Sequence, residues 1–182
     1  RRWICWPPGA TPAGHTRAAM ASALPTGRFA GRAASAVPLR QALAAAAQAG
    51  WAELVLSDAS FADWPLGERA VVQSLQQWSR AGRRCTLLAL DFDDLVRRQP
   101  RFVQWRRQWD HLIACRKAAT PDPLALPSVL WSPEWVLQRH DPVRSVGVAG
   151  HEPERRVQLR QTLDEWLERR STPAFPATVL GL

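Results

Sequence analysis

At 182 residues the chain is long enough for one domain with its own core and too short for two comfortable ones. The formal charge is +8, but residues 1–50 hold six Arg and no acid, whereas residues 51–182 hold 18 basic and 16 acidic groups, so the basic excess sits mostly in an N-terminal tail. No apolar run approaches the roughly 18 residues a membrane span needs. No charged-then-apolar signal opens the chain, and Cys5, Cys85 and Cys115 form no C-x-x-C, so the expected setting is cytoplasmic with reduced thiols.

Residues 1–37, rich in Pro, Gly, Ala and Arg without a sustained period, predict a disordered basic leader ahead of a domain over 38–182. The first residue is Arg1 and the only methionine is Met20, which marks a candidate start. Pro38 at a first helical turn opens LRQALAAAAQA, with Leu39, Leu43 and Ala46 or Ala47 on one face and Gly50 as its stop. AELVLS reads as a buried strand. The turn-rich DASFADWPLG then leads into a helix over about 68–81, with Val71, Val72, Leu75 and Trp78 inward and Gly82 at its end.

TLLAL is a second buried strand, and DFDD supplies acids to the first turn of another helix, which Pro100 separates from RFVQWRRQWDHL. LIACRK is a third strand, SVLW and EWVLQR form a hairpin around Ser132 and Pro133, and VRSVGVAG is a fifth strand. A helix over about 154–170 carries Val157, Leu159, Leu163, Trp166 and Leu167 as its apolar set, and the apolar tail PAFPATVLGL follows. This alternation predicts an α/β class, a mixed β-sheet flanked by helices. Asp58 and Asp91 fall at strand carboxyl ends, where open α/β sheets bind ligands.

The element order, carried by AELVLSDASFADWPLGERAVVQSL, QPRFVQWRRQWDHLIACRK and DEWLERRSTPAFPATVLGL, resembles one half of a phospholipase D unit over roughly residues 38–182. It also looks like an uncharacterised bacterial family with that fold. The resemblance implies a homodimer, because such half-units pair to complete a site. Phospholipase D chemistry uses H-x-K-x-x-x-x-D, with a His nucleophile, a phosphate-binding Lys and an acid. The chain has no H-x-K, and the matching stretch TPDPLALPSVLWSPEW offers Pro121, Asp122, Pro123 and Pro127 instead. The resemblance therefore implies a degenerate member with no catalytic residues and no cofactor.

Other constellations have a sharp and a plain reading. LLALDFDDLV resembles the first motif of haloacid-dehalogenase-type phosphatases, with Asp91 as nucleophile, Asp93 as general acid and magnesium between carboxylates. Leu95 replaces that motif's Thr, and helix-start chemistry explains the acids more simply. Asp58, Asp63 and Trp64 form either a ligand lip or an ordinary turn. Arg97, Arg98, Arg101, Arg106 and Arg107, interleaved with Phe102, Trp105 and Trp109, could grip phosphates and stack bases, or form a solvated helix face over core aromatics.

Arg139, His140 and Asp141 end the hairpin as one polar group, and His15, His111, His140 and His151 have no metal spacing. The ligand-binding candidates are thus Asp58, Trp64, Asp91, Asp93, Arg101, Arg139 and His140. The expected function is non-catalytic binding of an anionic partner, nucleic acid first. The alternatives are a metal-dependent phosphohydrolase using Asp91 and Asp93, and a protein-interaction module using the tail AFPATVLGL or the Arg-rich leader.

Overall fold

The computed structural model describes residues 24–81 and 83–176. Cys5, His15, Met20, Gly82 and the last six residues of the apolar tail lie outside them. Strand β1 (Gly27–Phe29) leads into helix α1 (Arg32–Ala49), which ends at Gly50 in the left-handed conformation, φ 64°. Strand β2 (Glu53–Ser57), helix α2 (Arg69–Ser79) and strand β3 (Arg84–Ala89) follow. Helix α3 (Asp93–Arg98) carries acids in its first turn and Arg97 and Arg98 in its last, matching the helix dipole. Helix α4 (Pro100–Gln108) starts on the proline that cannot continue α3.

Strands β4 (Ile113–Ala118), β5 (Ser128–Trp131), β6 (Val136–Asp141) and β7 (Val146–Gly150) precede helix α5 (Pro153–Arg169) and strand β8 (Ser171–Pro173). One eight-stranded sheet has the order β1-β7-β6-β5-β2-β3-β4-β8. β2, β3 and β4 are parallel, and the remaining pairings are antiparallel. The chain steps outward from β2 to β4 and then returns to lay β5 on the other side of β2. The order reverses at β2, and an open α/β sheet has its crevice at such a point.

Period-2 alternation sorts the side chains. Leu54 and Leu56 join the large cluster beneath α1, α2 and α4, while Val55 joins Val129, Trp131 and Val136 beneath Leu159 and Leu163 of α5. Seven of the eight described tryptophans are buried. Six of the eight indole N–H groups find a partner, the Trp51 carbonyl for Trp78 and Ser79 Oγ for Trp105 among them, whereas that of Trp64 is buried without one.

Three expectations need correction. Residues 24–37 are structured: β1 pairs with β7, Phe29 packs on the core, and α1 begins six residues before Pro38. β1 is three residues long and its partner is far along the chain, so no local period announces it. Pro38 therefore sits inside α1, where it removes a backbone hydrogen bond; the ring is buried beside Leu39, and packing outweighs the propensity penalty. Val157 points outward from α5, at 56% exposure. The beginning of the apolar tail folds onto its own domain. β8 pairs with β4, Ala174 N–H donates to the Cys115 carbonyl at 3.0 Å, and Phe175 stacks on Phe92 at 5.0 Å.

Candidate functional site

At the carboxyl end of β2, Asp58 continues the face of Leu54 and Leu56, and the β5 and β6 registers bring Ser128 and Arg139 beside it. Asp58 Oδ1 accepts from Ser128 Oγ (2.6 Å) and from Arg139 Nη2 (2.6 Å), and Arg139 Nε donates to Ser128 Oγ at 2.8 Å. Oδ2 accepts the Phe61 N–H (2.9 Å) and the Ser60 N–H (3.3 Å). The ion-pair side chains are only 7% and 2% exposed. Every lone-pair site of Asp58 thus has a donor, and the carboxylate holds a turn and a charge rather than acting as a free base.

Two backbone features fix this arrangement. The β6–β7 register shifts between Arg139 and Asp141, a bulge that keeps Arg139 inward and leaves His140 exposed. Gly147 lies opposite Arg139, where any Cβ would meet the Gln138 carbonyl and the Phe29 ring. Phe61 is fully buried yet has φ 56°, held by Asp58 at its N–H and by Gln99 Nε2 on its carbonyl (2.8 Å). Trp64, 3% exposed, lies edge-on to Phe61 and under Arg139 at 5.5 Å, so it floors the cluster and offers no free stacking face.

Of the sequence candidates, the structure joins Asp58, Trp64 and Arg139. His140 points away, and Asp141 pairs with Arg144 at 3.9 Å. Asp63 pairs with Arg32 at 2.5 Å. Asp91 and Asp93 are exposed, and Asp91 Oδ1 accepts the Asp93 N–H at 3.1 Å, so the pair begins a helix. Among the described residues no group of three or more His, Cys, Asp or Glu could hold a metal ion. Asp122, the acid of the stretch that matches the phospholipase D motif, caps its own turn by accepting the Leu124 N–H at 2.9 Å.

The Arg-rich helices divide. Arg97 and Arg98 both reach Asp94 (3.3 Å), while Phe102 and Trp105 are core. Arg106 turns inward, its Nε on Cys115 Sγ at 3.4 Å and its guanidinium over Phe175 at 5.0 Å. Burial pushes the Cys115 thiol up, opposed by the Arg106 hydrogen bond, and burial also pushes up Cys85; both are free thiols. Arg101 and Arg107 alone of the five remain exposed without an ion pair.

Sequence reasoning missed the opposite edge of the sheet. α2 and α4 run against the parallel strands, and the Ser79–Trp105 and Gln76–Trp109 bonds (3.1 and 3.0 Å) lock their C-terminal ends together. Arg80 and Arg83, between α2 and β3, and Arg84, the first residue of β3, therefore lie at the amino ends of the strands, the side of the sheet on which α4 ends with Arg107 in its last turn. Among the described residues none of the four makes an ion pair, and Glu53, the register neighbour of Arg84, is taken by Arg160 at 2.8 Å. Asp110 is the acid of the adjoining turn. The run R-A-G-R-R was visible in the sequence, and the fold sets it on the same side of the sheet as the last turn of α4, which carries Arg107.

No protein-family model matches the chain, and no curated protein matches it. Among solved structures it is similar to TrmBL2, an archaeal chromatin protein reported to show a novel mode of DNA binding, with a TM-score of 0.58 and 13% identity over 86% of this chain and 59% of that one. It is also similar to a phosphatidylserine synthase of Haemophilus influenzae Rd KW20, with a TM-score of 0.47 and 10% identity over 75% of this chain and 37% of that one, a likeness too loose to carry an argument. The chain spans less than two thirds of the length of either protein, and the first likeness shows a shared fold alone.

Proposed function

We propose that the domain is a non-catalytic binding module for an anionic polymer, nucleic acid first, and that it binds through the edge formed by Arg80, Arg83, Arg84 and Arg107. The observation that carries the reading is that these four, three of them exposed, have no ion pair on one side of the sheet, while nine of the other sixteen described arginines are paired. Unpaired guanidinium groups on one edge can exchange condensed counterions for phosphates, and Arg matches phosphate with two donors at once. A non-catalytic role is supported by the missing H-x-K in a chain that resembles half of a phospholipase D unit. The DNA binding reported for the structurally similar chromatin protein agrees by analogy of fold.

Fluorescence anisotropy of the full chain with short duplex and single-stranded oligonucleotides, over a range of salt, tests the proposal. The expected slope of log K against log salt falls by about 2.7 in magnitude on duplex when Arg80, Arg84 and Arg107 become Ala, at about 0.9 per phosphate contact. An unchanged slope in that variant refutes it.

A further inference from the structure

At the other edge of the sheet, beside the Asp58–Arg139 pair, lies a cleft of about 210 Å³. We propose that it is a second, separate binding site, for a small uncharged molecule that carries a carbonyl or carboxamide head on a short branched aliphatic body. Its position is the point where the strand order reverses, the usual crevice of an open α/β sheet.

The head-group chemistry follows from the floor. Arg139 is 2% exposed as a side chain, with Nε given to Ser128 and Nη2 to Asp58; Nη1 is the donor left for the cleft, which Arg139 lines. Ser60 Oγ accepts from the Ala62 N–H (3.4 Å) and keeps its own proton to donate. These two groups are donors, so the ligand must present an acceptor; Asp63, which also lines the cleft, has its Oδ1 on Arg32 and can take an N–H from a carboxamide. Asp58 already neutralises Arg139 and Arg32 neutralises Asp63, so an ionised head group would gain no net charge attraction there while losing its hydration.

The body follows from the rim. Leu124 (67% exposed) and Val143 (81% exposed) are the two most exposed large apolar side chains among the described residues, and both line this one cleft. A single exposed aliphatic is ordinary, but two flanking one polar floor form an amphipathic slot. Each is mounted on a fixed turn. Asp122 Oδ1 accepts the Leu124 N–H at 2.9 Å, and Asp141 Oδ1 accepts the Arg144 N–H at 2.9 Å. Buried residues with positive φ stand nearby, Phe61 at 56° and Ser145 at 54°, and backbone strain of this kind gathers at ligand sites. The volume is below the several hundred Å³ usual for cofactor-sized ligands, which limits the occupant to a handful of heavy atoms.

Titrating the isotope-labelled full chain with 3-methylbutanamide, acetamide and 3-methylbutanoate, read by amide chemical shifts, tests the proposal. The expected result is saturable shifts at Ser60, Ala62, Leu124 and Val143 with 3-methylbutanamide, on the order of millimolar for so small a ligand. Acetamide and 3-methylbutanoate are expected to bind at least tenfold more weakly, and Leu124→Asp/Val143→Asp to abolish the shifts while the rest of the spectrum stays in place. Failure of 3-methylbutanamide to saturate these resonances overturns the site, as do shifts that persist in the double variant. Equal or tighter binding of 3-methylbutanoate overturns the uncharged class.

Discussion

At the carboxyl ends of the strands Asp58 and Arg139 meet at 2.6 Å with their side chains almost wholly buried, whereas at the amino ends Arg80, Arg84 and Arg107 stand in solvent without an ion pair. The difference is one of dielectric. The buried Arg139 guanidinium is matched by the Asp58 carboxylate and by Ser128, so the mouth fills every valence of Asp58 and loses reactivity. In water an unmatched charge costs little and remains available to a partner. The two edges lie roughly 20 Å apart along six strand residues, so a variant at one leaves the other intact.

The largest expected effect breaks the buried pair. Asp58→Ala leaves Arg139 charged and unpaired and removes the acceptor from Phe61, for a loss of about 3–5 kcal/mol in urea unfolding. Asp58→Leu/Arg139→Met should recover most of that loss; a single-variant loss below about 1 kcal/mol would show the pair to be solvated. Next, Gly147→Ala forces a methyl against the Gln138 carbonyl and the Phe29 ring and should cost about 1–3 kcal/mol by the same measurement.

The edge behaves oppositely. Arg80→Ala, Arg84→Ala and Arg107→Ala should each change stability by no more than about 0.5 kcal/mol. A stability loss as large as that at Gly147 would make the edge structural and remove the contrast.

The smallest effect concerns Glu68, whose carboxyl is held below its usual range by the hydrogen bond from Arg40. A depressed folded pKa stabilises above the ordinary carboxylate value and is lost as pH falls through the lower folded one. Both partners are more than a third exposed, so Glu68→Gln should cost only about 0.2–1 kcal/mol near neutrality. Thermal melts from pH 7 to pH 2 check this: the difference from wild type should shrink only at the acid end.

The helices and central strands were legible because their periods are local. Val71, Leu75 and Trp78 repeat on one helix face, and ELVLS and TLLAL are unbroken apolar runs. β1 and β8 were not, since three-residue edge strands have no period and exist only through β7 and β4. Asp58 and Arg139 were legible as candidates, but their bond was not, because it depends on the β2–β5–β6 register and a bulge at His140. Ser128 left one faint signal, as the single polar residue of its strand SVLW. Arg106 looked like its neighbours in sequence, and only helix phase turns it toward Cys115.

The central claim is that the folded edge, and not the N-terminal Arg excess, meets the anionic partner. The most direct test compares salt-dependent oligonucleotide binding of the full chain with two variants of equal charge loss, Arg80/Arg84/Arg107→Ala and Arg1/Arg2/Arg17→Ala. The account predicts that the first loses binding by an order of magnitude or more at moderate salt while the second stays within about twofold of wild type. Loss in the second with retention in the first would contradict it.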